Sequence, residues 1–347
     1  MQNYENTPEQ TPGATAENEK WMRRCLQLAA CGRLGAAPNP MVGAVIVHEG
    51  RIIGEGYHVR CGEGHAEVNA IGSVKPADRA LLKQSTMYVS LEPCAHYGRT
   101  PPCAELIVRT GIPRVVVGCI DPFARVAGRG VEILRQAGVE VTVGVLEAEC
   151  LDLNRRFITF HTQGRPYITL KWAGSADGFL DAWRDGDTDT DEPDSAPRSA
   201  ACLSTPHTLM RVHRLRSLHQ AILVGHNTLR LDRPSLNVRH WVGPDPLRIV
   251  LGAVDEGELP AGYTAYADID TMLVALHRQG IQSLLVEGGQ QTLQSFIDRG
   301  LWDEAWEELS AKVLGSGVPV PRMPVGVVRT AETLWGVHIC HWRNADA

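Results

Sequence analysis

Apolar residues in the first half of the chain alternate between short strand-like runs and helical spacing. They recur at helical spacing from Trp21 to Ala29, which predicts a helix ending at Gly32. Short apolar runs bounded by turn residues predict buried strands at 42–47, 51–57, 86–91, 115–118 and 139–145. Helix-start signals and apolar spacing predict helices after His65, from Cys103 and over 130–137. This alternation indicates a layered α/β domain.

The second half of the chain repeats the α/β pattern. Apolar runs predict strands at 166–171, 221–225, 247–251 and 283–286. Helix starts are predicted at Thr205-Pro206, at Asn227-Thr228 and after Glu287-Gly288-Gly289. The chain ends in segments near 303–311 and 335–343 that look antiparallel. A second α/β domain is therefore predicted.

Shifts in composition predict the domain boundaries. Residues 1–18 are polar and are expected to form a disordered tail, and 19–146 form the first domain. Residues 147–165 are interpreted as a connecting helix and linker, and 166–347 as the second domain. The acidic stretch 181–199 is expected to be a solvated, mobile loop. Metal binding by this loop is the weaker alternative, because no fixed coordination geometry is implied.

Overall charge and composition narrow the classes of function. The chain has 347 residues, a formal net charge of -6 and a pI near 6.1, which argues against a nucleic-acid-binding surface. No apolar run reaches membrane-spanning length, and the N-terminus lacks a basic and then apolar signal, so we expect a cytoplasmic protein. Nine scattered cysteines indicate reduced thiols and a metal rather than a disulfide framework.

One stretch of the first domain has the pattern of a catalytic zinc site. His65, Cys94 and Cys103 supply one imidazole and two thiolates, which leaves the fourth position of a tetrahedral zinc open for water. Glu67 stands two residues after His65 and can move protons without binding the metal. His-x-Glu followed by Pro-Cys and a second Cys is typical of zinc deaminases that act on nucleobases. The spacing from Cys94 to Cys103 is longer than the usual three residues.

Two other interpretations of these cysteines stay open. They could be ordinary small apolar core residues. Alternatively, Cys61 could complete a closed structural zinc site with three cysteines and His65. Glu67 and the Pro-Cys context have no role in a purely structural site, so the residues favour catalytic zinc.

A longer motif identifies a family. The run from Glu92 to Cys103 reads Glu-Pro-Cys-Ala-His-Tyr-Gly-Arg-Thr-Pro-Pro-Cys and resembles the bifunctional riboflavin-biosynthesis deaminase/reductases. The resemblance covers nearly the whole chain after the tail. It implies a cytidine-deaminase-like three-layer α/β/α domain followed by a dihydrofolate-reductase-like α/β domain. It also implies one zinc ion per chain, NADPH as second cofactor, a phosphorylated pyrimidine substrate and a homo-oligomer, either dimer or tetramer.

The resemblance assigns residues of the deaminase half. It implies Glu67 as the catalytic acid and base, and His65, Cys94 and Cys103 as the metal ligands. Five further residues match positions that contact the pyrimidine substrate or shape its pocket: Asn39, His58, His96, Arg99 and Asp121. From the sequence alone, a plain turn residue between two prolines is the favoured interpretation of Asn39, and the resemblance reverses that preference.

The resemblance also assigns residues of the reductase half. Matches to substrate-contacting positions are Lys171, Arg216, Leu236, Arg239 and Glu287. Matches to nicotinamide-nucleotide positions are Ala173, Thr228, Asp232, Gly288 and Gly289. Arg216 and Arg239 suit a phosphate because a guanidinium pairs bidentately with phosphate oxygens, although each could instead form a surface ion pair. A G-x-G-x-x-G motif is missing, so a Rossmann domain is not indicated.

Two residues depart from the family pattern in the reductase half. Cys202 stands where an aromatic residue is common, and Arg233 stands where Asp or Asn is expected. The sequence therefore predicts a zinc-dependent deaminase fused to an NADPH-dependent reductase. A zinc deaminase with a non-catalytic nucleotide-binding second domain is the alternative, and a zinc-stabilised binding module without activity is a more distant one.

Overall fold

The computed structural model describes residues 12–97, 101–122, 127–183, 200–255 and 257–344. The chain divides into two compact units, Met1–Gln163 and Gly164–Ala347, and each is described by itself. Among the residues that the structure describes, no helix has both the length and the apolar composition that a membrane span requires.

The first unit is a five-stranded sheet with helices on both faces. Its helices are α1 (Pro12–Cys31), α2 (Ala66–Ser73), α3 (Cys103–Thr110), α4 (Arg129–Gln136), α5 (Glu147–Leu153) and α6 (Arg155–Gln163), with a 3-10 helix at Pro76–Gln84. Its strands are β1 (Gly43–His48), β2 (Arg51–Tyr57), β3 (Thr86–Leu91), β4 (Arg114–Cys119) and β5 (Glu140–Val143). The strand order is β2-β1-β3-β4-β5. β1 is antiparallel to β2 and β3, whereas β3, β4 and β5 are parallel.

Alternating side chains of the central strands build one core on each face of this sheet. Ile46 and Met87 face the cluster that contains residues of α2, α3 and α4. Val45 and Tyr88, one position away on the same strands, face the cluster built with α1 and α5. Because successive residues of a strand point to opposite faces, a strand buried on both sides reads as a continuous apolar run. The three layers are those predicted.

The N-terminal boundary differs from the predicted one. Helix α1 begins at Pro12, so residues 12–18 of the expected tail are helical, and residues 1–11 lie outside the described part. Asn18 is only 3% exposed, and its Oδ1 accepts a hydrogen bond of 3.1 Å from the Tyr88 hydroxyl. This polar stretch is therefore fixed by a partner on β3 that its own composition does not reveal.

The predicted linker is also part of the first unit. Residues 147–163 form α5 and α6, and Cys150 on α5 is fully buried in the core. The Asn154 side chain accepts from the Met41 backbone N–H at 2.8 Å and donates to the Met41 carbonyl at 2.9 Å. This pair of bonds ties the junction of α5 and α6 to the turn that carries Asn39. The boundary between the compact units falls after Gln163.

The second unit contains an eight-stranded sheet and a separate strand pair. Its strands are β6 (Tyr167–Gly174), β7 (Phe179–Asp181), β8 (Ala221–Gly225), β9 (Leu247–Leu251), β10 (Tyr263–Tyr266), β11 (Ser283–Val286), β12 (Glu304–Leu309), β13 (Val318–Pro319), β14 (Val328–Leu334) and β15 (Val337–Arg343). Its helices are α7 (Pro206–Ser217), α8 (His226–Asp232), α9 (Ile269–Arg278) and α10 (Gln290–Asp298). The large sheet has the order β10-β9-β8-β11-β6-β12-β15-β14, and β7 pairs with β13.

The large sheet is parallel from β10 to β12 and antiparallel beyond it. The predicted antiparallel pairing of the last segments is found between β12 and β15, but β12 is also parallel to β6. Four strands (β7, β10, β13 and β14) and helix α9 were not predicted from the sequence. β7 and β13 have only three and two residues, too few for a periodicity to show. Most of the acidic loop, residues 184–199, lies outside the described residues.

Buried side chains on the two faces of the large sheet form two cores. Leu223 and Leu284 belong to the larger cluster with residues of α9 and α10. Ile222 and Leu285, one position away, belong to the smaller one with Leu229 of α8 and the loop residue Leu236. The loop after α8 is thus anchored by an apolar side chain at the edge of a core.

A buried ion pair lies at the start of β6. Arg165 donates two hydrogen bonds to Asp303, from Nη1 at 2.7 Å and from Nη2 at 2.9 Å. The Ile168 backbone N–H donates to the same carboxylate at 2.6 Å. The two residues are 9% and 6% exposed. Removing one partner of such a pair leaves an unpaired charge in the core.

We expect Asp303→Ala to lower the free energy of unfolding by about 3–5 kcal/mol, because the Arg165 guanidinium would stay buried without its partner. Urea denaturation of the full chain, followed by circular dichroism, measures this loss. As a matched control, Glu19→Ala breaks an exposed pair with Arg23 on α1, and we expect a loss of at most about 1 kcal/mol. Equal losses for the two variants would show that the buried pair has no special weight.

Candidate active sites

Three elements of the first unit bring the predicted metal ligands together. His65 is the N-cap residue of α2, Cys94 follows β3 in a loop, and Cys103 is the first residue of α3. The His65 Nδ1 atom lies 3.5 Å from Cys94 Sγ and 3.4 Å from Cys103 Sγ. Among the described residues, these three form the group whose donor atoms all lie within 4.8 Å of one another.

The donor atoms of this group fit a zinc ion. Zinc bonds of about 2.1 Å to nitrogen and 2.3 Å to sulfur at a tetrahedral angle separate the two donors by roughly 3.6 Å. The observed separations agree with that value. One imidazole and two thiolates are also the borderline-soft ligands that zinc prefers. Cys61 is exposed and lies outside the group, which disfavours the closed four-ligand alternative.

The surroundings of Cys94 favour its thiolate form. The Cys103 backbone N–H, in the first turn of α3, donates to Cys94 Sγ at 3.3 Å. The pKa of Cys94 is lowered, first by a hydrogen bond from the Cys103 side chain and also by His65. A thiolate is the form of cysteine that binds a metal. The local structure therefore prepares a negative ligand before any metal binds.

Glu67 is buried beside the three ligands. It lies in the first turn of α2 and is 3% exposed. Burial, followed by the nearby Cys94, raises the pKa of Glu67 to about 7. A carboxyl group whose pKa is close to the working pH can both accept and release a proton.

His58 and Asn39 form a hydrogen-bonded chain next to the ligand His65. His58 Nδ1 lies 3.1 Å from the carbonyl oxygen of Gly64, which can only accept, so Nδ1 carries the proton. The other ring nitrogen then accepts from Asn39 Nδ2 at 3.1 Å. Burial lowers the pKa of His58, which agrees with a neutral ring, and that ring packs edge-on against His65 with centroids 5.3 Å apart. The predicted pocket residues Asn39 and His58 thus lie beside the metal group.

Of the three remaining predicted deaminase residues, the two that the structure describes are not part of the metal group. His96 is exposed in the loop after Cys94, and Asp121 is half-buried after β4. Arg99 lies outside the residues that the structure describes. Neither His96 nor Asp121 belongs to the metal group.

Glu92 has a role that the sequence did not reveal. Its carboxylate, in a residue 8% exposed, accepts four backbone N–H bonds from beyond β4. The donors are Asp121 at 3.3 Å, Gly128 at 2.9 Å, Gly130 at 2.8 Å and Val131 at 3.2 Å. A side chain at position 130 would clash, because its Cβ would lie 1.9 Å from the Pro93 carbonyl oxygen. Glu92 therefore joins the Cys94 loop to the start of α4.

A cavity of about 830 Å³ marks the second site. It opens at the carboxyl ends of the parallel strands β6, β8 and β11, where ligands bind in open α/β sheets. Seven residues predicted for the substrate or the nucleotide line it: Lys171, Ala173, Thr228, Asp232, Glu287, Gly288 and Gly289. The structure thus assembles these seven, from three separate parts of the sequence, around one space.

The cavity wall fits a dinucleotide such as NADPH. Its volume lies within the range of about 300–1,000 Å³ usual for ligand pockets. The Gly288-Gly289 turn precedes α10, whose N-cap Gly289 has no side-chain cap, so backbone N–H groups there can face phosphate oxygens. A Cβ on Gly225 would lie 2.4 Å from Thr292 Oγ1, so glycine is needed where β8 approaches α10.

The three other predicted reductase residues lie outside the cavity lining, and one of them, Arg216, is bonded to a lining residue. Arg216 on α7 donates to the Glu287 carboxylate from Nε at 3.1 Å and from Nη2 at 2.7 Å. Burial alone would raise the pKa of Glu287, but Arg216 lowers it below its usual value. Leu236 is 2% exposed in the smaller core, and Arg239 is exposed in the same loop.

The two departures from the family pattern have different structural consequences. Cys202 is exposed and lines the cavity, so its small side chain leaves room where an aromatic ring would stand. Arg233 ends α8 in the left-handed conformation with φ of 40°. Asn and Asp tolerate that conformation better than other residues with a side chain, which explains why they are expected there.

Comparison with known proteins agrees with this division of the chain. The family model "Cytidine and deoxycytidylate deaminase zinc-binding region" matches residues 15–119, and "RibD C-terminal domain" matches 166–332. The riboflavin biosynthesis protein RibD of Aquifex aeolicus is 37% identical over 87% of this chain and 89% of its own length. That of Escherichia coli K12 is 34% identical over 86% of this chain and 89% of its own.

Solved structures give the same result. A deaminase/reductase from Thermotoga maritima superposes with a TM-score of 0.82 at 34% identity, covering 95% of this chain and 99% of that one. RibD of Acinetobacter baumannii superposes at 0.80 with 30% identity and the same coverage. The predicted fold class of two successive α/β domains is thereby confirmed. The chain therefore belongs to the RibD family of bifunctional riboflavin-biosynthesis enzymes, with a zinc-binding deaminase domain followed by a reductase domain.

Proposed function

We propose that this chain catalyses two successive reactions on one phosphorylated pyrimidine. The first is hydrolytic deamination of a diaminohydroxyphosphoribosylaminopyrimidine, and the second is NADPH-dependent reduction of the ribosyl chain to ribityl. The convergence of His65, Cys94 and Cys103 next to buried Glu67 is the observation that carries the proposal. The similar Thermotoga protein is named for the same pyrimidine deaminase and for a reductase that acts on 5-amino-6-(5-phosphoribosylamino)uracil.

In the deaminase half, His65, Cys94 and Cys103 would hold the zinc ion. When bound, zinc lowers the pKa of a water so that hydroxide is available near neutral pH. Glu67 takes the proton of the attacking water, whose oxygen bonds to the ring carbon that carries the amino group. Glu67 then returns the proton to that nitrogen, so that the carbon–nitrogen bond breaks and ammonia leaves.

Neighbouring side chains would orient the pyrimidine. The neutral ring of His58 accepts from the Asn39 amide and thereby fixes the direction in which Asn39 Oδ1 points. That oxygen is then free to accept from a ring N–H or amino group of the substrate. His96, Arg99 and Asp121 remain predicted contacts of the same substrate.

In the reductase half, NADPH would occupy the large cavity and supply the hydride. Ala173, Thr228, Asp232 and the Gly288-Gly289 turn would line the nucleotide, and Thr228 Oγ1 already accepts from the Gly289 N–H at 3.1 Å. Lys171 and Glu287 would face the substrate chain, because both line the cavity.

The two predicted phosphate arginines differ in their present partners. Three donors of Arg216 are engaged, two with Glu287 and Nη1 with the Asn237 carbonyl at 3.2 Å. The exposed Arg239 donates from Nη1 to the neighbouring Ser235 hydroxyl, which a phosphate oxygen can replace. Arg239 is therefore the stronger candidate for the phosphate clamp, and Arg216 would hold Glu287 in place.

Homo-oligomerisation and a cytoplasmic location are further parts of the proposal. β14 is one of the two outer strands of the large sheet; Val328 at its start and Trp335 just after its end are 60% and 61% exposed. An edge strand with exposed apolar side chains favours pairing with another chain. Light scattering of the purified protein tests the oligomer, and cell fractionation tests the location.

Product identification tests the proposed pair of reactions directly. The purified chain is incubated with the phosphoribosylaminopyrimidine, once without and once with NADPH. Ammonia and the deaminated pyrimidine are expected without NADPH, and the ribityl product only with it. Deamination without any NADPH oxidation would instead favour a non-catalytic second domain.

We expect one zinc ion per chain and its loss in Cys103→Ser, because only three protein ligands would hold it. Elemental analysis of the purified variants measures zinc content. Cys61→Ser is the matched control and should keep about one zinc per chain, since Cys61 lies outside the ligand group. Zinc loss in Cys61→Ser would favour a closed structural site.

We expect Glu67→Gln to lower the deamination rate roughly 10²- to 10⁴-fold, the usual contribution of a positioned general acid and base. Zinc content should be unchanged, because no ligand is lost, and NADPH-dependent reduction of supplied deaminated intermediate should continue. Ammonia release, elemental analysis and NADPH absorbance give the three readouts. The exposed Glu63, four residues earlier, provides the control Glu63→Gln, which should keep all three. A variant of Glu67 that lost its zinc would make Glu67 a structural residue.

We expect Arg239→Ala to weaken binding of the reductase substrate by about 1.5–3 kcal/mol, the value of a charged hydrogen bond. The KM for the deaminated intermediate should rise accordingly, while ammonia release stays unchanged. Steady-state NADPH oxidation measures the first quantity. Arg278→Ala, at the exposed end of α9, is the matched control and should leave KM unaltered. Equal losses in both activities would place the phosphate elsewhere.

A further inference from the structure

The loop between α8 and β9 is held in an unusual conformation. Residues 233–239, called the arm segment below, form neither helix nor strand, yet Leu236 within it is 2% exposed. Leu236 has a φ of 50°, a left-handed conformation that costs conformational free energy for a residue with a side chain. Such a conformation persists only where the surroundings fix it, and it is often found at functional sites.

Four side chains from outside the arm segment fix its backbone. The bonds are Tyr263 hydroxyl to Pro234 carbonyl, Arg216 Nη1 to Asn237 carbonyl (3.2 Å), Val238 N–H to Asp245 Oδ1 (2.7 Å) and Arg239 N–H to His213 Nδ1 (2.9 Å). Two of these side chains, His213 and Arg216, are one helical turn apart on α7. One helix face therefore contacts both Glu287 at the cavity wall and the backbone of Arg239.

The bond from Arg239 fixes the protonation state of His213. A backbone N–H can only donate, so His213 Nδ1 must be unprotonated and the ring must be neutral. His213 is 2% exposed, and its ring meets the ring of His240 edge-on at 4.7 Å. Burial, followed by the nearby Arg216, His240 and Arg239, lowers the pKa of His213 to about 4, while Glu287 acts in the opposite direction.

We propose that His213 is a positioning residue of the reductase site, which holds the backbone of Arg239 so that the Arg239 side chain meets the substrate phosphate. The proposal rests on the proposed role of Arg239 as phosphate clamp. His213 itself touches neither substrate nor cofactor. Its contribution is to anchor the backbone of a residue whose side chain is exposed, which lowers the conformational entropy lost when the phosphate binds.

Two substitutions separate the acceptor from the bulk of the ring. In His213→Asn, the amide oxygen stands at the place of Nδ1 and can still accept from the Arg239 N–H. In His213→Leu the acceptor is lost and the N–H is left without a partner. We expect His213→Leu to raise the KM for the deaminated intermediate roughly tenfold with kcat within about twofold. The KM of His213→Asn should stay within about threefold of the original.

The same variants are made with Arg239→Ala, and ammonia release is measured throughout. If His213 acts through Arg239, His213→Leu should add little to the KM of Arg239→Ala, and deamination should be unchanged in every variant. A normal KM in His213→Leu, or equal defects in the Leu and Asn variants, would overturn the role of His213 while Arg239→Ala still raises KM. An unaffected KM in Arg239→Ala would overturn the clamp itself and the inference with it.

Discussion

The Glu92 carboxylate holds the deaminase site together, because a buried charge must have its hydrogen-bonding capacity filled. Four backbone N–H groups beyond β4 meet it, two of them at the start of α4. This places the loop of Cys94 against the loop of Asp121. The reductase unit uses the same constraint twice. Asp303 collects Arg165 and a backbone N–H of β6, and Glu287 collects Arg216 at the cavity wall. In each case a buried carboxylate joins segments that lie far apart in the sequence.

Neutral histidines next to these charges also hold neighbouring groups in place by hydrogen bonds. His58 donates to one backbone carbonyl and accepts from Asn39, and His213 accepts from the Arg239 backbone. A neutral imidazole offers one donor and one acceptor at fixed directions, so it can orient a neighbour without adding charge. That property matters beside a metal group in one unit and beside two arginines in the other. In both units the histidine touches the residue proposed to meet substrate.

Features that carry a distinctive residue motif or depend on nearby residues could be predicted from the sequence, and pairings between ordinary residues far apart in the chain could not. The metal ligands were predictable from their residue types, although His65 lies 29 and 38 residues from Cys94 and Cys103. The ends of β2 and β3 were predictable because their apolar runs stop at turn residues. Asn18, in contrast, is buried with a hydrogen bond from Tyr88, which is 70 residues away in the sequence. The polar residues around Asn18 in the sequence give no sign of this partner and predict a tail. Glu92 and His213 find their partners 38 and 26 residues away. Only the fold shows which backbone group His213 accepts from.

The arm segment depends on α7, whose side chains make two of its backbone hydrogen bonds. Arg233 and Leu236 both have positive φ, so this loop has a high conformational cost and would relax if it were free. The burial of Leu236 offsets part of this conformational cost. Hydrogen bonds to four side chains hold the rest of the loop backbone in place. The left-handed conformation costs more free energy for Arg233 than it would for Asp or Asn at the same position. The contacts from α7 hold the backbone at Asn237 and Arg239, four and six residues after this strained position.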